Sequence, residues 1–124
     1  MAAKRPIFTE NFSTNLSAIE VFLGSEGHTA FQQFLDHLFN ETIPLLCRFP
    51  ESGRAFLRRA IKSSKAEALS KELRRLLKKG DNLREIITDD YLLLYLVRYD
   101  RIIFLAVKHH RQLSFDLKQF WQSG

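Results

Sequence analysis

The fold is decided by residues 91–117, which read YLLLYLVRYDRIIFLAVKHHRQLSFDL. Two runs in this stretch, residues 91–97 and 102–107, consist mainly of Leu, Ile, Val, Tyr and Phe, the residues that pack best on a pleated sheet. The break between them carries Arg98, Asp100 and Arg101, so the stretch predicts a β-hairpin. Because both alternating faces of the first run are apolar, we expect the hairpin to be central in its sheet and covered on both sides.

Two segments before this stretch have apolar residues at helical spacing. The first carries Phe12, Leu16, Ile19 and Leu23. The second, over residues 29–42, carries Phe31, Phe34, Leu35, Leu38 and Phe39. The short glycine-containing link between them predicts an antiparallel helical hairpin, and Pro44 is expected to kink or stop the second helix. A short strand is predicted before the first helix, over residues 8–11.

A third helix is predicted over residues 64–79, where Ser64 and Glu67 can cap the first turn and Gly80 ends the last. Three strands follow, over residues 83–88, 91–98 and 101–109, and their short links require them to run antiparallel. The sequence therefore predicts an α+β fold: an N-terminal helical hairpin packed on a three- to four-stranded antiparallel sheet, with an extra basic helix before the sheet. The side chains expected between the two layers are Phe34, Leu38, Leu93, Tyr95 and Leu105.

The size of the chain suits one domain spanning residues 1–124. A chain of 124 residues and 14.5 kDa buries about two thirds of its unfolded surface, enough for a core without disulfides. No apolar run reaches the roughly 18 residues that a membrane span needs, and the start, MAAKRPIF, has no signal-peptide core. Cys47 is the only cysteine, which agrees with a reducing compartment. The expected location is the cytoplasm, without membrane contact.

The basic residues are concentrated in one section of the chain. From Arg54 to Lys79 there are ten Lys or Arg against Glu67 and Glu72, a net charge of +8, whereas the whole chain carries +5. A segment of this kind can bind RNA, or the acidic and amphipathic tail of a partner protein, equally well. A solvated face that confers only solubility is the alternative.

Metal and cofactor chemistry find little support in the sequence. His109 and His110 are adjacent on a predicted strand and should point to opposite faces, while His28 and His37 have no second ligand at helical spacing. The sequence also lacks a glycine-rich phosphate loop and a serine elbow. We therefore expect neither a metal site nor a cofactor.

A metal-independent endoribonuclease is compatible with the residues present. Its chemistry needs a base for the 2′-hydroxyl, cations for the charged phosphorane and an acid for the leaving 5′-oxygen. Histidine moves protons near neutral pH, and arginine binds phosphate with two donors. The candidate catalytic residues are His109, His110 and Arg84. The candidate phosphate- or partner-binding residues are Arg54, Arg98, Lys108 and Arg111. Solvated strand ends plus one buried, hydrogen-bonded histidine are the alternative.

Four short motifs occur in one order along roughly residues 8–115. They are FPESGR at residues 49–54, LREI at 83–86, YLLLYLV at 91–97 and VKHHRQ at 107–112. In residue type and order the chain resembles the RelE/ParE superfamily, the small bacterial toxins of type II toxin-antitoxin systems that are also called plasmid stabilisation proteins. The resemblance implies a toxin that a cognate antitoxin neutralises, its tail wrapping the sheet and the basic face.

Resemblance to the RelE branch implies cleavage of messenger RNA on the ribosome. In that branch a tyrosine or histidine followed by arginine opens the central strand, and the arginine holds the scissile phosphate. Here Tyr91 is followed by Leu92, so that arginine is absent. The proton donor of the branch would map near His109, His110 or Phe115, and a phenylalanine cannot transfer a proton.

Resemblance to the ParE branch implies a different target, because those toxins poison DNA gyrase by binding it and have no ribonuclease site. Leu92 favours this branch, because the phosphate-binding arginine is missing, whereas the pair His109 and His110 favours catalysis. From the sequence, a toxin that inhibits translation by cutting or binding RNA is favoured slightly over a gyrase binder. An interaction module without catalytic activity is the third interpretation.

Overall fold

The computed structural model describes residues 3–55, 77–78 and 80–112. These contain three α-helices bounded at both ends, five strands and helical residues 110–112, with short 3₁₀ turns at Ser25–Gly27 and Pro50–Ser52. The helices are α1 (Glu10–Leu23), α2 (His28–His37) and α3 (Ile43–Arg48). The strands are β1 (Arg5–Phe8), β2 (Arg54–Ala55), β3 (Asn82–Ile87), β4 (Tyr91–Arg98) and β5 (Arg101–His109).

The strands form one sheet in the order β1-β5-β4-β3-β2. The predicted α+β class is confirmed, as is the central hairpin of β4 and β5. The sheet is larger than the three or four strands expected, and it is mixed, because β1 pairs with β5 in parallel. Only a short link forces two strands to be antiparallel. Nearly the whole chain separates β1 from β5, so no short connection determines the direction of that pair.

A β-bulge in β5 changes which of its side chains face the helices. Leu94 pairs with Ala106 and Tyr95 with Phe104, so Leu105 is the extra residue of the bulged strand. The alternation shifts there: Ile102 and Phe104 are buried before the bulge, and Val107 and His109 after it. Leu105 is only half-buried, so its predicted place in the core is wrong.

Helix α1 begins earlier than the sequence pattern indicated. Thr9 caps it, its side-chain oxygen accepting a hydrogen bond from the Phe12 amide at 3.1 Å, and the strand before it is β1, which ends at Phe8, rather than residues 8–11. Gly24 ends α1 with a φ of 71°, a left-handed conformation that glycine adopts without strain. The turn that follows leads directly into α2, which gives the predicted helical hairpin.

Pro44 does not stop the second helix of the hairpin. Residues Leu38–Thr42 form one π-helical turn, in which the Ile43 amide donates to the Leu38 carbonyl, and the chain continues as α3 to Arg48. Pro44 therefore lies in the first turn of α3. Proline rings and π turns both occur where a helix departs locally from the regular i to i−4 hydrogen-bond pattern without ending.

The core lies between the helices and one face of the sheet. Phe34, Leu38, Leu93 and Tyr95 are buried there, as predicted. On the second face Leu83, Glu85 and Leu96 are buried. The predicted basic helix of residues 64–79 and the segment around Phe115 lie outside the described residues, except for residues 77 and 78, which are not helical.

Candidate functional site

The side chain of Arg84 is hydrogen-bonded to the backbone of a nearby loop. It lies on β3, and its guanidinium donates to the Gly53 carbonyl from Nε at 2.9 Å and from Nη2 at 2.6 Å. Nη2 also donates to the Glu51 carbonyl at 3.2 Å. Hydrogen bonds from a charged donor are the strong ones in proteins. The guanidinium thus holds the loop between α3 and β2 against the sheet.

Tyr95 holds the same loop from the buried face of the sheet. Its buried hydroxyl donates to the Pro50 carbonyl at 2.7 Å and accepts from the Gly53 amide at 2.9 Å. Burial raises the pKa of this hydroxyl, while the Gly53 hydrogen bond and the charge of Arg84 oppose the rise. A Cβ at position 53 would lie 2.3 Å from the Tyr95 hydroxyl and 2.5 Å from the Glu85 carbonyl oxygen. The motif FPESGR therefore needs its glycine because the loop packs directly on the sheet.

Arg54 follows this loop on β2. Its Nε lies 3.3 Å from Oε1 of Glu85, whose side chain is fully buried, while more than half of the arginine side chain is exposed. A buried carboxylate costs desolvation energy unless it is paired. Arg54 therefore pairs with the buried Glu85 carboxylate and offsets its charge. The exposed part of the Arg54 side chain remains accessible to a partner.

Arg98 lies at the end of β4 and forms a two-point ion pair with Asp81. Its Nε and Nη2 lie 2.8 Å and 2.7 Å from the two carboxylate oxygens. The hydrogen bond from Arg98 holds the pKa of Asp81 down at about 2. Because the fork of Arg98 is occupied by a carboxylate, a phosphate would have to displace Asp81 to use it.

Tyr91 opens the central strand but its hydroxyl faces the helices. The ring is fully buried, and the hydroxyl contacts Nδ1 of His37 at 2.8 Å and the Thr42 hydroxyl of the π turn. Burial raises the pKa of Tyr91 to about 12, against the opposing effect of the Thr42 hydrogen bond. Nε2 of His37 in turn lies 3.1 Å from the Glu41 carboxylate. This hydroxyl is therefore closed off from any substrate on the surface.

His109 faces the core because of the bulge in β5. Its ring lies edge-on to Phe34, with centroids 5.8 Å apart, and its Nδ1 accepts from the Arg111 amide at 3.3 Å. That acceptor role leaves the proton of the neutral ring on Nε2. Burial lowers the pKa of His109, the charges of His110 and Arg111 add to the effect, and Asp90 opposes it. His109 is thus a mostly buried neutral imidazole at pH 7.

Four of the predicted residues form one group, here called the basic corner: Lys108, His109, His110 and Arg111. His110 is already helical rather than part of β5, so its ring lies beside that of His109, with centroids 4.6 Å apart, rather than on the opposite face. Its amide donates to the Asp90 carbonyl at 2.7 Å. Lys108, His110 and Arg111 are exposed, and a shallow pocket between this corner and α2 is lined by Gln33 and Asp90 among others.

The structure does not bring Arg84 to the basic corner. Strand β4 lies between β3 and β5, and along it Arg84 is opposite Tyr95 whereas His109 is opposite Tyr91. Four residues of a strand span about 13 Å. The candidate residues therefore fall into three places: Arg54 and Arg84 at the loop, Arg98 beside Asp81, and the basic corner. Phe115 lies outside the described residues.

Two residues that matter in this region were not among the candidates drawn from the sequence. His37 was considered in the sequence only as a possible metal ligand, yet it contacts the Tyr91 hydroxyl across the helix–sheet boundary. Glu85 was noticed only as part of the LREI motif, and its complete burial could not be read from the alternation of β3. A tyrosine within an otherwise aliphatic strand is the one signal that a polar partner must be found in the core.

Neither a metal centre nor a membrane helix occurs in the part of the chain that the structure describes. There, histidine, cysteine, aspartate and glutamate side chains nowhere gather in a group of three that could hold a metal ion. No helix among the same residues has the length and the apolar character needed to cross a membrane.

These features define a class of protein: a small basic α+β protein in which a helical hairpin covers one face of a mostly antiparallel sheet and cationic side chains lie at the strand ends. The chain belongs to the ParE toxin family of type II toxin-antitoxin systems, parDE, whose family model matches residues 7–114. None of the curated proteins matches it. The chain is therefore the toxin of such a pair, with a cognate antitoxin as its partner.

Proposed function

We propose that this toxin acts by binding DNA gyrase and poisoning it, and that it forms one domain over residues 1–124. The observation that carries the proposal is the set of hydrogen bonds that Arg84 makes within the protein. A ribonuclease needs a cation free to take up the charge of the phosphorane. Arg84 instead donates three hydrogen bonds to the carbonyls of Gly53 and Glu51. The preference for RNA that the sequence suggested is reversed on this ground.

The start of the central strand supports the same proposal. Leu92 occupies the position at which the RelE branch has its phosphate-binding arginine. The hydroxyl of Tyr91 is buried against His37 and Thr42, where it cannot reach a 2′-hydroxyl or a leaving oxygen. His109 has its Nδ1 occupied and its Nε2 protonated, so it lacks a free lone pair for the role of general base.

Cleavage or binding of RNA remains the second candidate, favoured by the basic corner. There His110 and Arg111 are exposed side by side, which supplies an imidazole for proton transfer and a guanidinium for phosphate. In this candidate His110 exchanges the protons and His109 only positions it through the ring contact. Gyrase and messenger RNA are both cytoplasmic, so either candidate requires the toxin to act there.

The two candidates are separated by a histidine variant in cells. We expect His110→Ala to leave growth arrest in place after induction of the toxin, with intact messenger RNA and accumulating DNA breaks. His110 is exposed, so its loss should not unfold the protein. His28→Ala, at another exposed histidine, is the matched control.

The opposite result would overturn the proposal. If His110→Ala relieves the arrest while His28→Ala does not, and the unaltered toxin cuts messenger RNA without breaking DNA, the protein is a ribonuclease. Thermal unfolding of both variants checks that they fold alike.

A further inference from the structure

Three arginines lie side by side across the strands at the end of the sheet opposite the basic corner. Arg5 of β1 is the register partner of Arg101 of β5, which is the partner of Arg98 of β4. Register partners project from the same face of a sheet, with Cα atoms about 5 Å apart. The three side chains, here called the arginine row, therefore stand on the face opposite the helices.

The arginine row is costly for the isolated protein. Like charges directly opposite each other on neighbouring strands destabilise a sheet. Arg98 is neutralised by Asp81, but Arg101 has only a loose contact with Asp100 at 3.9 Å, in which both side chains are largely exposed. Arg5 is exposed and has no ion pair within the described part of the chain. Arg5 and Arg101 are therefore available to bind an anion.

Tyr99 stands beside the row at the tip of the β4–β5 turn. Its backbone has a φ of 53°, a left-handed conformation that glycine and asparagine adopt readily and an aromatic residue rarely does. Its side chain is 83% exposed, so packing within the protein does not compensate this strain. Strain of this kind at an exposed position points to a role in contact with another molecule.

The turn is held rigidly by the N-terminal strand. The Arg5 amide donates to the Asp100 carbonyl at 2.8 Å, and Nζ of Lys4 donates to the Tyr99 carbonyl. A contact surface that is fixed before binding loses less conformational entropy when a partner arrives. Lys4 also adds a further positive charge to this end of the sheet.

We propose that the arginine row and Tyr99 form a binding site for single-stranded nucleic acid, in which Arg5 and Arg101 bind backbone phosphates and Tyr99 stacks on an unpaired base. Guanidinium forks match phosphate oxygens, and a cationic groove with an exposed aromatic ring is the usual arrangement for single strands. An acidic protein segment could use the same charges, so retention of gyrase on a column is measured beside nucleic-acid binding. The site is separate from the basic corner and does not depend on the toxin's main target.

The test measures the binding of the full-length chain to a fluorescein-labelled 12-nucleotide strand by fluorescence anisotropy. DNA and RNA strands of the same mixed sequence, and the DNA duplex, are compared at increasing salt. We expect saturable binding to the single strands that weakens with salt because counterions are released from neutralised phosphates. The comparison of DNA with RNA shows which strand the site prefers.

Variants then assign the binding to these residues. Arg5→Gln and Arg101→Gln should each weaken binding by about tenfold and reduce its salt dependence. Asp100→Asn removes the nearby negative charge and should tighten binding. Tyr99→Asn should weaken binding by about fivefold or more through lost stacking. The same change relieves the backbone strain, so its melting temperature should equal or exceed that of the unaltered chain.

Tyr99→Asn separates a binding role from a structural one. If it binds the strands as well as the unaltered chain does, or if neither strand binds at low salt, the proposal is wrong. If the arginine variants leave nucleic-acid binding unchanged but lose retention of gyrase on a column, the surface docks a protein, and the proposal is also wrong. Val21→Ser, which removes an exposed apolar side chain from α1, is the control and should bind normally.

Discussion

The side chain of Arg84 donates to the backbone carbonyl of Gly53, from Nε at 2.9 Å and from Nη2 at 2.6 Å. This pairing explains two of the motifs on which the family resemblance rests, FPESGR and LREI, as one structural unit. The arginine of the second motif binds the loop formed by the first, and the hydroxyl of its register partner Tyr95 binds the same loop. In this chain the paired motifs stabilise the fold.

Gly53→Ala tests this unit. The new Cβ would overlap the Tyr95 hydroxyl and the Glu85 carbonyl oxygen, and the second of these belongs to the backbone of the sheet and cannot move aside. Overpacking of this kind costs about 1–3 kcal/mol, and we expect at least that loss in the free energy of unfolding measured with urea. Ser52→Ala, at the exposed neighbouring position, should change it by less than about 0.5 kcal/mol. Equal effects of the two changes would contradict the packing described.

Core truncations test the place of the bulge. Leu38→Ala and Leu93→Ala should each lower the free energy of unfolding by about 2–5 kcal/mol, because each removes a fully buried side chain and leaves a cavity. Leu105→Ala should cost clearly less, because the bulge leaves that side chain half-buried. The three unfolding midpoints in denaturant give the comparison. A larger loss at Leu105 than at Leu93 would mean that the strand has no bulge there.

His109 should make the stability of the protein depend on pH. Its pKa in the folded state is lowered by burial, by His110 and by Arg111, with Asp90 opposing them. The unfolded chain therefore binds more protons below its ordinary pKa of 6.5, and stability is full above that pH and falls as the pH drops toward the lower, folded pKa. His109→Gln should flatten this dependence in thermal unfolding between pH 7 and about pH 5, whereas His28→Gln should preserve it. An unchanged slope in the first variant would show that His109 is not desolvated.

The antitoxin should bind this protein tightly. Co-expression with the cognate antitoxin should yield a complex that copurifies, because apolar contacts act together with the net charge of +8 between Arg54 and Lys79. Raising the salt concentration should weaken the complex without abolishing it. Recovery of only free, soluble toxin from such preparations would count against this partner.

The sequence predicted the parts of the fold that depend on local patterns. The hairpin of β4 and β5 followed from two apolar runs around one short break, and the helical hairpin followed from apolar spacing and glycines. The parallel pairing of β1 could not be predicted, because no connection constrains it. The bulge at Leu105 could not be predicted either, because one extra residue in a continuous apolar run leaves the composition unchanged.

The candidate site was predicted less well for a related reason. Residue types identified the basic corner, which the structure does assemble from consecutive positions. Arg84 was named together with His109 and His110 as a candidate catalytic residue, but the sheet order places β4 between them. Whether an arginine is free or occupied depends on carbonyls brought near by the fold, such as that of Gly53, and residue type does not encode this.

The most direct test of the central proposal is a DNA supercoiling reaction with purified gyrase and the purified toxin. The proposal predicts that supercoiling falls and cleaved DNA accumulates as toxin is added, that His110→Ala toxin acts equally, and that the antitoxin restores the reaction. Gyrase that works normally at every toxin concentration, while a ribosome reaction containing the same toxin loses its messenger RNA, would contradict it.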